Sequence, residues 1–245
     1  LRATTLESEY SAFPTLNGTS ITVIRVEADS TQRLAQFAAD GAAPTVLFPA
    51  IKPVGYFAQA DDSTWAMFVL GSPATLQLAR TGVGREQTAG DVIARNVGRS
   101  LHRIPGTAQV SYVLKGGAAW YVMRLDPASR KSDTLIALPK GSEDVAWVDS
   151  TTLLVGSGTR LMQWRRGTTE WKPLGNLAFA HLENITRLAV SPDGTWLALV
   201  AEPRTSDVNP SRPPQNFSSR RDTVTFARIG SPAHARPSYS FRIPY

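Results

Sequence analysis

The three histidines of the sequence are the first residues to test for catalysis or metal binding. They are His102, His181 and His234, and they lie on separate segments without the spacing of a zinc motif. There is no cysteine, so thiolate catalysis and cysteine-ligated zinc or iron–sulfur sites are excluded. No glycine-rich nucleotide-binding motif is present. The sequence therefore predicts no metal site and no cofactor.

The sequence also offers few candidate residues for nucleophilic or acid–base catalysis. Gly156-Ser157-Gly158 lacks the strand-to-helix turn that a nucleophile elbow requires, because the surrounding pattern is that of strands. The acidic pair Asp61-Asp62 falls in a predicted turn, where turn chemistry explains it. The pair Glu143-Asp144 lies at the opening of a predicted first strand and is a candidate for a polar site at the channel mouth. We therefore expect a protein that is not an enzyme.

The positive charge of the chain is concentrated near its C-terminus. The whole sequence carries a net charge of +6, and the segment from Pro203 to Tyr245 has seven arginines against two aspartates, 7 − 2 = +5. Arginine pairs with carboxylates through two hydrogen bonds, which favours contacts with an acidic protein surface. No nucleic-acid-binding module is recognisable, so a protein partner is predicted and a nucleic acid is not. The predicted partner-binding residues are Arg204, Arg212, Arg220 and Arg221.

The elements that must position these residues follow a repeat of 44 residues. Five turn positions lie one repeat apart, and each is followed by serine or threonine: Gly18, Asp62, Gly106, Ser150 and Gly194. Each turn leads into an apolar run, and each full repeat contains four short runs rich in β-branched and aromatic residues. Four strands in about 40–45 residues, repeated, are typical of β-propeller blades.

The sequence thus predicts an all-β protein, a β-propeller of four-stranded antiparallel blades in five repeats. We expect it to form one domain over residues 1–245. The side chains predicted to pack between blades lie one repeat apart on the first strands: Phe13, Phe57, Leu101 and Val145.

The fifth repeat is interrupted. A Pro-, Ser- and Arg-rich segment over 203–222 reads as a long insertion in the last blade, and TVTFARI supplies a third strand after it. The fourth strand comes either from the N-terminal LRATTL, which would join both chain ends in one blade, or from SYSFRIPY in the C-terminal arm, 230–245. Joining the ends would remove exposed sheet edges.

The segment SPDGTWLALVA, from Ser191 to Ala201, resembles the WD40-like repeat of the TolB-type propellers of bacteria. TLNGTSITVIRV is similar to a degenerate copy, and KPVGYFAQAD also resembles exported TolB-like proteins. The resemblance covers roughly residues 5–202. It implies a propeller that is periplasmic or otherwise exported and that acts as a scaffold for protein interactions near the cell envelope. Relatives also tend to have a further N-terminal blade, so a six-bladed ring missing that blade is the alternative to five blades.

Polar side chains at the starts of the first strands would line the central channel of such a propeller. The predicted channel-lining residues are Glu9, Tyr10, Tyr56, Arg99, His102, Arg103, Glu143 and Arg187. This set contains both charges, so it has no dominant sign to attract a ligand. Either the channel binds a peptide or a polar ligand, or its charged residues pair with one another.

We therefore predict a non-enzymatic scaffold, a periplasmic subunit that docks on a larger envelope or membrane protein assembly. No apolar run is long enough for a transmembrane span, so contact with the membrane would occur through the partner. The alternative is a small-ligand-binding or hydrolase-type propeller with its site in the central channel.

Overall fold

Short apolar runs separated by turn residues form antiparallel sheets throughout the part of the chain that the structure describes. The structure is a computed structural model, and it describes residues 7–38, 40, 43–82, 90–180, 182–203, 223–228 and 240–241. Several predictions fall outside these residues. They concern His181, His234, the insertion 203–222 apart from Pro203, its arginines Arg204, Arg212, Arg220 and Arg221, and most of the arm 230–245.

Three sheets belong to the first of two compact units, Leu1–Ala137. The first sheet contains β1 (Glu9–Pro14), β2 (Ser20–Val26), β3 (Gln32–Ala38) and β4 (Thr45–Val46). The second contains β5 (Val54–Gln59), β6 (Thr64–Val69), β7 (Thr75–Arg80) and β8 (Asp91–Arg95). The third contains β9 (Val97–Arg103), β10 (Val110–Lys115), β11 (Trp120–Asp126) and β12 (Lys131–Ala137). In each sheet the strands lie in chain order and pair antiparallel.

Two sheets belong to the second unit, Leu138–Tyr245. The fourth sheet contains β13 (Val145–Trp147), β14 (Thr152–Ser157), β15 (Arg160–Arg165) and β16 (Lys172–Asn176). The fifth contains β17 (Leu182–Val190), β18 (Trp196–Pro203), β19 (Thr223–Arg228) and β20 (Ser240–Phe241). A 3-10 helix over Leu177–Ala180 precedes it. Among the described residues, no helix has the length and hydropathy needed to cross a membrane.

The all-β class and the four-stranded repeat are thus confirmed. In the last sheet β20 pairs with β19 through Phe241 and Val224, so the C-terminal segment supplies the fourth strand. The competing candidate, LRATTL, lies outside the described residues. A single domain over 1–245 and the number of blades in a closed ring remain predictions.

The core of the first unit lies between successive sheets. Ile24 and Leu34 of the first sheet pack against Phe57, Trp65 and Met67 of the second. All six residues of β6 are buried, because the first sheet covers one face of this strand and the third sheet covers the other. Burying one large apolar side chain contributes about 1.5–3 kcal/mol. The side chains on both faces of β6 therefore hold the three sheets of this unit together.

The core of the second unit lies between the fourth and fifth sheets. Leu154 of β14 packs in one cluster with Leu188 of β17 and Leu199 of β18. The two sheets lie close together at Gly156, where a Cβ atom would lie 2.5 Å from Cγ2 of Ile185. The glycine is therefore required by the packing of these sheets.

The turns that join the first and second strands come in two lengths. The backbone hydrogen bond that closes each turn spans six residues in the first, third and fifth sheets and five in the second and fourth: Thr15–Ser20, Ile104–Gln109, Ser191–Trp196, Ala60–Thr64 and Val148–Thr152. The six-residue turns contain a glycine with φ near +70°: Gly18, Gly106 and Gly194. The repeat of turn residues is confirmed, but the turns are not identical.

The first turn begins one residue earlier than the 44-residue repeat predicts, and this makes one predicted core residue wrong. Phe57 lies three residues before Ala60, where its turn begins, and the residue three before Thr15 is Ala12, not Phe13. A shift of one residue moves a side chain to the opposite face of a strand. Phe57, Leu101 and Val145 are buried as predicted, whereas Phe13 is 56% exposed.

Candidate functional site

The predicted channel-lining residues all lie on first strands or beside them. Six belong to the first unit: Glu9 and Tyr10 on β1, Tyr56 on β5, and Arg99, His102 and Arg103 on β9. Two belong to the second unit: Glu143 just before β13, and Arg187 on β17. Whether they line a common channel remains a prediction, but the contacts within each unit define their chemistry.

Glu9 belongs to an ionic cluster around Arg25 of β2. Nη2 of Arg25 lies 2.9 Å from Oε2 of Glu7, and its Nε lies 3.7 Å from Oε1 of Glu27 and 4.0 Å from Oε1 of Glu9. The arginine side chain is 14% exposed, whereas the three carboxylate side chains are 24–28% exposed. The carboxylates therefore cover the arginine, and solvent meets mainly negative charge here.

The other residues of this set in the first unit mostly hold neighbouring segments together. Tyr56 packs edge to face on Phe68 with 5.9 Å between ring centroids, within the core of the second and third sheets. Nε of Arg103 donates a hydrogen bond of 3.1 Å to the carbonyl of Ala60, which joins the third sheet to the second. Nε2 of His102 lies 3.1 Å from a hydroxyl on the same strand. These contacts favour a structural role for all three.

In the second unit, Arg187 pairs with Asp144. Nη1 of Arg187 lies 3.2 Å from Oδ2 of Asp144 and donates a second hydrogen bond, of 2.8 Å, to the carbonyl of Thr186. The two charged residues lie 43 residues apart, so they link adjacent first strands. This pair favours the alternative in which the charge of Arg187 is neutralised by a neighbouring acid, here the residue that follows Glu143.

Gly156-Ser157-Gly158 is a hairpin and not a nucleophile elbow. Ser157 ends β14 and pairs with Arg160, and Gly158 adopts φ +59° in the turn between them. No helix follows, as the sequence predicted. Elsewhere in the described ranges, no group of three or more His, Cys, Asp or Glu side chains could hold a metal ion.

Asp61 is explained by its turn, as expected. Its carboxylate accepts hydrogen bonds of 2.9 Å from the backbone N–H of Ser63 and 2.8 Å from that of Thr64. Asp149 accepts equivalent bonds in the fourth sheet. Burial raises the pKa of Asp61, but these hydrogen bonds outweigh it and the net pKa is lowered.

A groove of about 410 Å³ lies between the second and third sheets. Leu78, Arg80 and Asp126 are among the residues that line it. Two other lining residues form an ion pair, in which Nη2 of Arg130 lies 2.6 Å from Oδ2 of Asp91. The groove holds two arginines and three aspartates, so no single charge dominates it. It was not predicted from the sequence, because residues from five separate segments form it.

An apolar stretch along β1 and the turn that follows it is exposed on the surface of the described residues. Seven large apolar side chains are more than a third exposed in the part of the chain that the structure describes, and three lie within seven residues: Tyr10 at 42%, Phe13 at 56% and Leu16 at 43%. Phe13 packs edge to face on Phe57 with 5.8 Å between ring centroids. The backbone N–H of Leu16 donates a hydrogen bond of 2.9 Å to Oε1 of Gln59. The stretch is thus anchored to the second sheet while its apolar groups face solvent.

Sequence reasoning identified Tyr10 but missed Phe13 and Leu16 as surface residues. The repeat assigned Phe13 to the core, and Leu16 was not among the predicted site residues. The length of the first turn could have indicated that both are exposed. The turn TLNGTS, which contains Asn17-Gly18, is one residue longer than the turn ADDST of the second repeat. We call the residues Tyr10, Phe13 and Leu16 the β1 apolar stretch.

No protein-family model and no curated protein matches the sequence. Among solved structures, the chain is similar to a TolB candidate from Agrobacterium tumefaciens, with a TM-score of 0.63 and 12% identity over 92% of this chain and 78% of that one. It is also similar to TolB from Acinetobacter baumannii, with a TM-score of 0.56 and 14% identity over 90% of this chain. It spans about half the length (50%) of that TolB.

Propellers with enzymatic activity are also similar. An oligogalacturonate lyase from Vibrio parahaemolyticus has a TM-score of 0.55 and 11% identity, over 79% of this chain and 63% of that one. At these identities the likeness concerns the fold alone. Together with the five antiparallel sheets and the S-P-D-G turn, it leads to one conclusion. The chain has the fold of a TolB-like β-propeller.

Proposed function

We propose that this chain is a non-enzymatic scaffold that binds another protein. The observation that carries the proposal is the β1 apolar stretch, whose three large side chains stay 42–56% exposed within seven residues. Contiguous exposed apolar groups beside polar residues are typical of protein-interaction sites. Aromatic anchors such as Phe13 and Tyr10 contribute much of the binding energy at such sites.

The finer parts of the proposal concern the partner and the location. We propose a periplasmic subunit that docks on a larger envelope or membrane protein assembly, which the similarity to the two TolB structures supports. The basic C-terminal segment would provide additional charge contacts. Replacing Arg204, Arg212, Arg220 and Arg221 together by alanine is expected to weaken partner binding without unfolding the sheets.

The experiment is gentle purification of the protein from its native cells, with membranes included, followed by quantitative mass spectrometry. The native chain should retain a stoichiometric partner, and a Phe13→Ser/Leu16→Ser variant should lose it. Leu174→Ser is the control, because Leu174 is 47% exposed but lies on β16 in the second unit. Recovery of the native chain as a lone monomer at low and moderate salt would contradict the scaffold proposal.

A second candidate function is a small-ligand-binding or hydrolase-type propeller with its site in the central channel. The similarity to an oligogalacturonate lyase favours it, because that protein carries catalysis on the same fold. Metal analysis of the purified protein distinguishes the candidates. A stoichiometric metal ion that survives dialysis would favour the second candidate over the scaffold.

A further inference from the structure

We propose that β1 binds an extended partner segment in which basic and apolar side chains alternate. The inference rests on the proposed scaffold function and gives the chemical class of the segment that is bound. Three observations carry it: the exposure of β1, the distribution of charge around Arg25, and the different faces on which the aromatic and acidic side chains of the strand lie.

The first observation is the exposure of β1 itself. Five of its six residues are exposed and the sixth is half-buried, whereas β5 and β9, the first strands of the next two sheets, have no exposed residue. Within the described part of the chain, β1 pairs with β2 alone and forms the edge of its sheet. An extended segment can therefore lie along this edge and reach side chains on both faces of the strand.

The second observation is the sign of the charge at this edge. Arg25 and Arg33 are both 14% exposed at their side chains, while the carboxylates that contact them are 24–50% exposed. The acidic side chains are Glu7, Glu9 and Glu27 around Arg25, and Asp29 on Arg33. The cluster contains four acids and two bases, and its acids form the outer layer. This charge is complementary to lysine or arginine on a partner.

The third observation is the arrangement of the two kinds of side chain on β1. Glu9 pairs with Arg25, and Tyr10 pairs with the next residue, Ile24, so the two point to opposite faces. Phe13 pairs with Thr22, two residues from Ile24, so it shares the face of Tyr10. A bulge between Tyr10 and Phe13 produces this alignment. One face of the strand is therefore aromatic, and the other begins with carboxylates.

The side chains of an extended segment alternate between two faces with a period of two residues. A segment that lies along β1 and satisfies both faces must therefore alternate basic and apolar residues. The probe that tests this is the peptide acetyl-Lys-Val-Lys-Val-Lys-amide, with acetyl-Glu-Val-Glu-Val-Glu-amide as the matched control. Both are short enough to remain soluble and contain no aromatic group of their own.

The experiment is NMR titration of the isotopically labelled full chain. The lysine peptide should shift amide signals of residues 7–16 and 24–33, and the glutamate peptide should not. Glu9→Gln/Glu27→Gln should weaken binding of the lysine peptide roughly fivefold to tenfold, as expected for the loss of two partly exposed charge contacts. This variant keeps the 2.9 Å contact between Glu7 and Arg25, so the arginine stays paired. Unchanged signals elsewhere show that the variant folds.

Asp133→Asn is the control variant, because Asp133 is a 53%-exposed acid of the same unit that pairs with Arg124 on another sheet. It should leave binding of the lysine peptide unchanged. Equal binding of both peptides, shifts outside the β1 edge, or full affinity in the glutamine variant would overturn the inference. If the native partner is retained while the lysine peptide does not bind, the scaffold proposal stands and only the class of segment is wrong.

Discussion

The carboxylate of Asp193 stabilises a turn through hydrogen bonds, and the stability of that turn therefore depends on pH. Its carboxylate accepts hydrogen bonds from the hydroxyls of Ser191 and Thr195 and from the backbone N–H of Thr195. These bonds lower the pKa of Asp193 from 3.8 to about 2. A pKa that is lower in the folded state means that the stabilisation is present above pH 3.8 and is lost as pH falls towards 2.

Asp193→Asn should therefore reduce the loss of stability between pH 4 and pH 2. An amide can make the same turn, because Oδ1 of Asn17 accepts a 3.1 Å hydrogen bond from the N–H of Thr19 in the first sheet. The measurement is the urea midpoint of unfolding at several pH values. Asn17→Asp is the reverse variant, and it should make the first turn sensitive to acid. Parallel pH profiles for all three proteins would contradict this account.

A substitution of Gly156 tests whether the fourth and fifth sheets require a residue without a side chain where they pack together. A Cβ at this position would lie 2.5 Å from Cγ2 and 2.6 Å from Cβ of Ile185, so the sheets would have to move apart. Gly156→Ala should lower the free energy of unfolding by about 1–3 kcal/mol, the usual cost of overpacking. Gly175→Ala is the control, since nothing lies within 4 Å of its position. Urea unfolding measures both, and equal stability of the two variants would argue against a packing role for Gly156.

At the scale of the elements, the position of the strands could be predicted from the sequence almost completely. Apolar runs between turn residues indicated each strand, and burial on both faces explains why TWAMFV of β6 is uninterrupted. The place of individual side chains was harder to predict. Phe13 and Phe57 are one repeat apart in the sequence, but the first turn begins one residue earlier than the repeat predicts, which puts them on opposite faces.

The six-residue turns should depend on their glycines through backbone conformation alone. Gly106 has φ +72°, and a Cβ atom added there would meet nothing within 4 Å, so space is not limiting. Gly106→Ala should destabilise the protein by about 1–2 kcal/mol, the cost of a left-handed conformation for a residue with a Cβ. The thermal midpoint measures the effect. Gly117→Ala is suitable for comparison, because that position is equally open and φ is not in the left-handed region.

At the scale of the whole molecule, the prediction of one domain over residues 1–245 can be tested by its cooperativity. Leu154 is 1% exposed in the core of the second unit, and Leu154→Ala should cost about 2–5 kcal/mol. If the chain is one domain, hydrogen exchange should accelerate in β6 of the first unit as well as in β14. Acceleration confined to the second unit would show that the units unfold independently. Leu174→Ala, at an exposed site, should change neither.

The candidate site was only partly predictable at this scale. Glu9 and Tyr10 were identified because the repeat assigns them to the start of a first strand. The role of Arg25 was not predicted, because its three carboxylates come from β1, from a residue before β1 and from the residue that follows β2. Pairing between strands brings these residues together, and a single sequence does not reveal which distant charges will meet.

The two turn lengths have a consequence for anyone who recombines the repeats of this protein. The first, third and fifth hairpins have the longer turn, and the second and fourth have the shorter one. Turn length alone does not decide which residues face inward, because Phe57 and Leu101 each lie three residues before their turn and are both buried, although the two turns differ in length. Crossovers counted from the closing residues of each turn should therefore preserve the faces of both strands, whereas crossovers placed by a fixed 44-residue step should turn over the first strand of the first repeat. A library of shuffled hairpins should yield folded proteins when its crossovers are placed by the first rule.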